Sequence, residues 1–323
     1  MYSIKLYDTT HFKQWNDFVA QSKNGTFLFH RDFMEYHADR FTDYSLLIFN
    51  GNRLVALLPA NRAGNVLYSH QGLTYGGLVL GSKIKLADVI HILKYVLHYL
   101  NQNNIEVLSS KSIPHIYHKV PAEEMEYALF AAGAKLIRRD SLSVYDRQAG
   151  VSFSKDRKQC IRRGENNNLV IVEEPDFELF WNEILIPNLQ LKHEAAPVHT
   201  LDEIVLLHKK FPNNIRHFNV YHDNKIVAGT TIFVTDTVAH PQYISGNKDK
   251  NQLGSLDYLY AHLINTVFTD KNYFDFGPSN EQQGLKLKEG IAFWKESFGA
   301  RTVTQDFYEV PTANYSLLED VLI

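Results

Sequence analysis

Apolar and polar positions along the chain follow patterns that occur twice, in the same order. Residues 46–61 read LLIFNGNRLVALLPAN, two strand-like apolar runs joined by Asn50, Gly51 and Asn52, which accept positive φ in a tight turn. Residues 218–234 read FNVYHDNKIVAGTTIFV and repeat that plan around His222, Asp223 and Asn224. Asn52-Arg53-Leu54-Val55-Ala56 lies on Asn224-Lys225-Ile226-Val227-Ala228, an offset of 172 residues. Upstream of the hairpins, Trp15-Asn16-Asp17-Phe18 matches Trp181-Asn182-Glu183-Ile184 in helix-like segments. A second helix is expected to end at Phe41 in one half and Phe211 in the other. Downstream come strands near Tyr68 and Tyr243, then amphipathic helices. The first helix carries Leu86, Val89, Ile90, Leu93, Val96, Leu97 and Leu100 at helical spacing. Its counterpart carries Leu256, Leu259, Tyr260, Leu263, Val267 and Phe268. Short strands at 105–108 and 273–276 follow. Helices then run into Gly133-Ala134-Lys135 and Gly299-Ala300-Arg301, each before a last strand.

Collinear matches at offsets of 166 to 175 residues mean that one fold of roughly 150 residues is written twice. Its elements describe an α+β fold, an α/β sandwich. The expected division is a first domain at 1–148, joined by the tail 311–323, and a second at 149–310 that opens with a basic helix over 154–167. The 323 residues fit that division, being about twice a usual single domain.

Composition narrows the function classes. Apolar residues make up 45% and charged residues 21%, with a net charge of -3, so nothing at whole-chain level asks for DNA. A lone cysteine, Cys160, excludes an internal disulfide framework and is read as an inert packed thiol. No signal peptide and no apolar run of about 18 residues is visible, so the expectation is a cytoplasmic monomer without a transmembrane segment. His193-Glu194-Ala195-Ala196-Pro197 begins like a zinc-protease helix but has Pro where the second His is needed, and no metal is expected. No G-x-S-x-G elbow, G-x-G-x-x-G fingerprint or Walker loop occurs.

Near-neutral overall charge conceals a local cluster. Lys155, Arg157, Lys158, Arg162 and Arg163 oppose only Asp156 within one helical stretch that lies outside the repeat. Arginine forks suit phosphate and pyrophosphate, so Lys155, Arg157, Arg162 and Arg163 are candidate anion-binding residues, although most charge runs are solvated faces.

Four stretches resemble a known superfamily. Ser154-Lys155-Asp156-Arg157-Lys158-Gln159-Cys160-Ile161-Arg162-Arg163 is similar to the basic helix that opens the second half of the FemAB-type amino-acid transferases, which have a duplicated GNAT acyltransferase fold. Tyr75-Gly76-Gly77 resembles their first-half loop, Tyr273-Phe274-Asp275-Phe276-Gly277 their strand end, and Phe293-Trp294-Lys295-Glu296-Ser297-Phe298-Gly299 their aromatic-Lys motif. The resemblance spans nearly the whole chain, and its last two motifs are the most specific.

What the resemblance implies is acyl transfer to an amine without a metal or a covalent enzyme intermediate. The donor would be acyl-CoA, such as acetyl-CoA, or aminoacyl-tRNA; tRNA enters as a partner only with an aminoacyl donor. The acceptor would be a small-molecule, cell-wall or polysaccharide precursor. Lys295 would stabilise the charged intermediate. Glu309, an acidic residue on the following strand with Asp306 nearby, would be its catalytic partner. Tyr75, Asp275, Ser279, Asn280 and Trp294 are further substrate-contact candidates. Acyl-CoA enzymes of this superfamily hold pyrophosphate on an Arg/Gln-x-x-Gly-x-Gly/Ala loop. The corresponding turn here, Lys250-Asn251-Gln252-Leu253-Gly254-Ser255-Leu256, departs from that spacing. It leaves Gly254 and Ser255, with Ser255 read as a helix N-cap, as the cofactor-contact candidates.

Physical chemistry supports the lysine reading, since a fixed cation beside a tetrahedral oxyanion contributes about 3 to 4 kcal/mol in a dry site. Lys295 could equally be a surface lysine snorkelling from an amphipathic helix. Two other classes fit the same residues: a non-catalytic GNAT-fold binding module with an anion-binding groove, and an RNA-binding or peripheral membrane role for the basic helix.

Overall fold

The computed structural model describes residues 2–193 and 195–323, with only the backbone of Lys192 and His193. Of the His193-Glu194 motif weighed above for zinc, Glu194 and the His193 side chain lie outside what is described. The chain forms two compact units. One comprises Met1–Asp140, Gln282–Lys286 and Thr304–Ile323, and the other Ser141–Glu281 and Leu287–Val303.

In the first unit, the hairpin Leu46–Asn50 and Arg53–Leu58 is flanked by Tyr2–Leu6 on one edge and Val79–Leu80 on the other, all antiparallel. Strands Asn61–Ala63, Val66–Tyr68 and Val107–Lys111 continue the unit, the last two parallel to each other. The helix Leu86–Gln102 packs on this framework because its apolar residues recur at helical spacing. Val89, Leu93, Val96, Leu97 and Leu100 are all fully buried against Leu46, Ile48 and Leu108.

The second unit is built on the hairpin Ile215–His222 and Lys225–Val234, with Val170–Glu173 on one edge and Val238–Gly246 on the other. Its core gathers Phe218, Val220, Leu259, Tyr260, Leu263, Phe274, Phe276 and Phe298. Strand Tyr273–Pro278 runs parallel to Val238–Gly246 but is registered with it only at Val238 and Ala239. Pro241 stands two residues beyond Ala239 and removes a ladder donor, and the strand carries a register shift there. Two helical segments of this unit widen into π-helix, Phe180–Leu185 and Leu263–Val267. The first of these precedes Pro187, whose missing N–H cannot serve a regular ladder.

The compact units do not coincide with the sequence repeats, because the last strands are exchanged. Lys135–Asp146 ends the first repeat, yet Leu142, Val144, Tyr145 and Asp146 pair with Tyr273–Pro278 of the second repeat. Arg301–Pro311 ends the second repeat, yet its residues from Phe307 onward pair with Val107–Lys111 of the first.

Two local expectations change. No helix runs to Phe41: a single turn, Arg31–Met34, passes into the 3-10 turn Glu35–His37. Bonds from Ala38 N to Glu35 O and from Arg40 N to His37 O tighten the chain there. The strand expected at 105–108 spans Val107–Lys111.

Candidate active site

In the second unit, a cation sits at the end of strand Tyr273–Pro278. Lys295 projects from the helix Glu289–Glu296, whose neighbouring Phe298 and Ala292 are buried. Only 4% of Lys295 is exposed, and its Nζ donates to Gly277 O at 2.9 Å and Pro278 O at 2.8 Å. An ammonium carries three donors, so one N–H remains beyond these two. Burial brings its pKa down to about 8, opposed by the Asp275 carboxylate. The strand end that receives it is shaped by Gly277, whose φ of +73° favours glycine. A Cβ there would also lie 3.2 Å from His240 Cε1. Asp275 is buried and accepts from Gly277 N at 2.8 Å, which fixes this turn. His240 reaches from Val238–Gly246 so that its Nδ1 lies 2.8 Å from Asp275 O. That side-chain contact joins two strands where their backbone ladder has lapsed.

A second cluster secures the basic helix Lys155–Asn166. Ser154 is its N-cap, with Oγ accepting from Arg157 N. Arg157 points inward, donating through Nε to Ser297 Oγ at 2.8 Å and pairing through its guanidinium with Asp257. Trp294 Nε1 donates to the same Asp257 oxygen at 2.8 Å, and the Arg157 guanidinium lies 4.7 Å from the Phe298 ring centroid. Asp257 stands in the first turn of the helix Ser255–His262, where the helix dipole favours an acid.

No protein-family model matches the sequence, and no curated protein matches it. Solved structures do. FemX superposes with a TM-score of 0.67 and 9% identity, covering 94% of this chain and 96% of that chain. L-PGS from Bacillus licheniformis gives a TM-score of 0.60 and 12% identity, covering 96% and 94%. A tandem GNAT protein from the clavulanic acid biosynthesis pathway gives 0.51 and 12%, covering 97% and 99%. The chain has a duplicated GNAT-type fold, FemAB-like in kind.

Within this GNAT-type fold, most of the candidate residues fall into four groups. Lys295, Asp275, Trp294 and Arg157 belong to the second unit and are tied into the two clusters just described. Ser279 and Asn280 follow Pro278 directly. The Ser279 hydroxyl is buried without a hydrogen-bond partner, while Asn280 Oδ1 accepts from Ser141 N at 2.7 Å. Lys155, Arg162 and Arg163 lie on the exposed side of the basic helix, and Arg163 also reaches Asn251 O at 3.4 Å. Glu309 belongs to the other unit, half-buried opposite Ser109. Its neighbour Asp306 is occupied by the Arg139 guanidinium and the Tyr308 hydroxyl.

Four expectations are corrected. Arg157 is not an open anion ligand, because its charge is matched inside the protein by Asp257. Tyr75 is 1% exposed, donates to Thr26 Oγ1 at 3.0 Å and packs against Phe29 and Tyr117, so it is part of the first unit's interior. Ser255 is not an N-cap: Gly254, at φ +70°, occupies the cap position, and Ser255 is fully buried with an unpartnered hydroxyl. Nor does Gly254 fit as a pyrophosphate cradle. A Cβ on it would lie 2.5 Å from Cys160 O and 3.1 Å from Gly164 N, so its bareness serves the packing of the basic helix.

His240 and Asp257 were missed from sequence. Asp257 had a readable signal, an acid in a first helical turn, but its partner is 100 residues away. His240 had none, being one of 15 scattered histidines.

Proposed function

We propose that the chain is an N-acyltransferase that moves an acyl or aminoacyl group onto an amine of a small-molecule, cell-wall or polysaccharide precursor. One observation carries this reading: a buried ammonium, Lys295, oriented by Gly277 O and Pro278 O with one donor left over. In the proposed reaction the acceptor nitrogen attacks the donor carbonyl carbon, and a C–N bond forms. The carbonyl oxygen becomes an oxyanion, to which the remaining Lys295 N–H donates. Collapse then expels the donor's thiolate or alkoxide, which leaves with the proton lost by the attacking nitrogen. A donor fixed in advance at a low-dielectric position needs no reorganisation during this step. We assign Glu309 as the candidate proton acceptor on the basis of the FemAB resemblance.

The packing at Gly254 supports a donor that does not rest a pyrophosphate on that glycine. No step is therefore routed through CoA at that turn, and an aminoacyl-tRNA donor remains the counterpart. The second reading is a GNAT-fold binding module without turnover, whose anion-binding groove would rest on the exposed Lys155, Arg162 and Arg163 and not on Arg157, which Asp257 neutralises.

Mass spectrometry of candidate amines incubated separately with acetyl-CoA and with aminoacyl-tRNA tests these readings. Acyl transfer by the native chain, lost in Lys295→Ala with an unchanged circular dichroism spectrum, supports the transferase. Native-level turnover by Lys295→Ala overturns the role of the lysine. Saturable donor binding without product from either donor favours the binding module.

A further inference from the structure

Gly277 touches two groups that a transfer reaction would use together. Its carbonyl oxygen accepts from Lys295 Nζ at 2.9 Å. Where a side chain would stand on it, the His240 ring stands instead, with Cε1 3.2 Å from the place of a Cβ. Cε1 is bonded to both ring nitrogens, so the imidazole occupies the same strand end as the buried ammonium.

That ring is anchored on one nitrogen and open on the other. Nδ1 lies 2.8 Å from Asp275 O, and because a carbonyl only accepts, Nδ1 carries the hydrogen. The neutral ring then has its lone pair on Nε2, which makes no hydrogen bond among the described residues. The side chain keeps 13% of its surface open, so the lone pair is not sealed away. Asp275 Oδ2, 3.5 Å from Nδ1, supports positive charge on the ring once it takes a proton. Phe233, opposite His240 on the other neighbouring strand, is uncharged. The charged groups that the adjoining elements bring beside the ring are Asp275 on its strand and, across Gly277, Lys295 on its helix. Bridging two strands needs only one donor, which an asparagine also offers; imidazole makes the bridge and leaves a base over. The acids nearest this helix are engaged otherwise, Asp275 by Gly277 N at 2.8 Å and Asp257 by Arg157.

We propose that His240 Nε2 takes the proton from the attacking nitrogen and hands it to the leaving group. This role rests on the transferase reading of Lys295. The acceptor enters as a neutral amine, its lone pair forms the C–N bond, and the nitrogen becomes positive. Nε2 binds one of its protons, that N–H bond breaks, and the bonding pair stays on nitrogen. As the oxyanion collapses, the donor's C–S or C–O bond breaks and its pair goes to sulfur or oxygen. The imidazolium returns the proton there, and the ring is neutral again. Lys295 keeps its protons throughout, so cation and base are separate groups against one glycine. Glu309, to which the FemAB resemblance gives the proton, belongs to the other unit.

The test is kcat against pH, with an identified donor and acceptor both saturating. The native chain should show an acid limb of one proton, below the alkaline fall set by Lys295. His240→Asn keeps a side-chain N–H for Asp275 O but has no basic nitrogen. It should lower kcat by about 10²- to 10⁴-fold, the usual contribution of general acid–base catalysis, and lose the acid limb. Imidazole in the buffer should restore part of the loss in His240→Ala and none in Lys295→Ala. Native kcat with an unchanged acid limb in His240→Asn would leave His240 a bridge between strands and overturn the proposal. A native chain without an acid limb would do the same, and that reading needs no variant to fold. So would an acid limb that persists in His240→Asn and disappears in Glu309→Gln. No product from the native chain with either donor would overturn the transferase reading and this role with it, a result distinct from the other three.

Discussion

Among the described residues, each compact unit encloses one lysine that burial brings to a pKa of about 8, Lys111 in the first and Lys295 in the second. The two differ in what surrounds them. Lys111 ends the strand Val107–Lys111, and its ammonium ties down Leu73 O. The Arg138 guanidinium pushes its pKa further down and Asp140 pulls the other way. Lys295 instead comes from a helix and meets two successive carbonyls at a strand end, with the Asp275 carboxylate as its electrostatic neighbour. Repeating a fold has not repeated the chemistry. One lysine staples a loop beside another cation, and the other is a cation aimed by the backbone, because the two stand on different elements of the repeated framework, a strand and a helix.

The sharpest way to break this contrast is to remove each charge. Lys295→Met is expected to lower kcat by about 10²–10³, roughly 3 to 4 kcal/mol of transition-state stabilisation, in a steady-state assay with an identified donor. Lys111→Met should leave kcat within about threefold, and equal losses would erase the distinction.

The next largest effect lies under the Lys295 helix. Asp257→Asn leaves Arg157 buried without its counter-charge and should cost about 3 kcal/mol in urea unfolding. The double variant Arg157→Met with Asp257→Leu should recover most of that loss. No recovery would mean that the Trp294 and Ser297 contacts, not the charges, hold the cluster.

Dependence on pH sharpens the comparison further. Both lysines have native pKa values of about 8 against 10.5 for an ordinary lysine, so between those limits the unfolded chain binds more protons than the native one. Stability should therefore rise with pH across that window, by at most about 1.4 kcal/mol per pH unit for each lysine. Either Lys→Met variant should flatten the slope of urea midpoints against pH. Activity should move the opposite way, falling as pH rises through about 8, because only the charged Lys295 donates as an ammonium. An activity that is flat through pH 9 would count against its role.

Two glycines, one at a strand end and one in a loop, give the smallest contrast. Gly277 and Gly77 both have positive φ, at +73° and +97°. An alanine at Gly77 meets only ordinary contacts at 3.4 Å and beyond, whereas at Gly277 it meets His240 at 3.2 Å. Both replacements should destabilise by about 1 to 2 kcal/mol, with Gly277→Ala the worse by a fraction of that. Thermal melts of the pair measure the difference.

Local pattern made much of the fold legible. The paired hairpins, the helix around Leu93 and the strand before Gly277 all follow from turn chemistry and periodicity within about twenty residues. Their order, together with the aromatic-Lys motif, led to the duplicated GNAT-type fold that is found. The site was legible as a set of residue types and much less as an arrangement. Arg157 looked like an open cation because its partner, Asp257, is distant in sequence, and Gly254 looked like a phosphate turn because glycine serves both uses. His240 carried no signal at all, since its carbonyl partner at Asp275 lies 35 residues on and on another strand.

By itself, then, the sequence determined the repeat, the nature of most elements and the lysine worth testing, because these depend on neighbours along the chain. Tertiary structure alone decided the exchange of final strands, the inward turn of Arg157, the burial of Tyr75 and the placing of His240 against Gly277. Each of those depends on which distant backbone or side chain removes water from a group and whether it offers a partner in return, and local periodicity does not encode that choice.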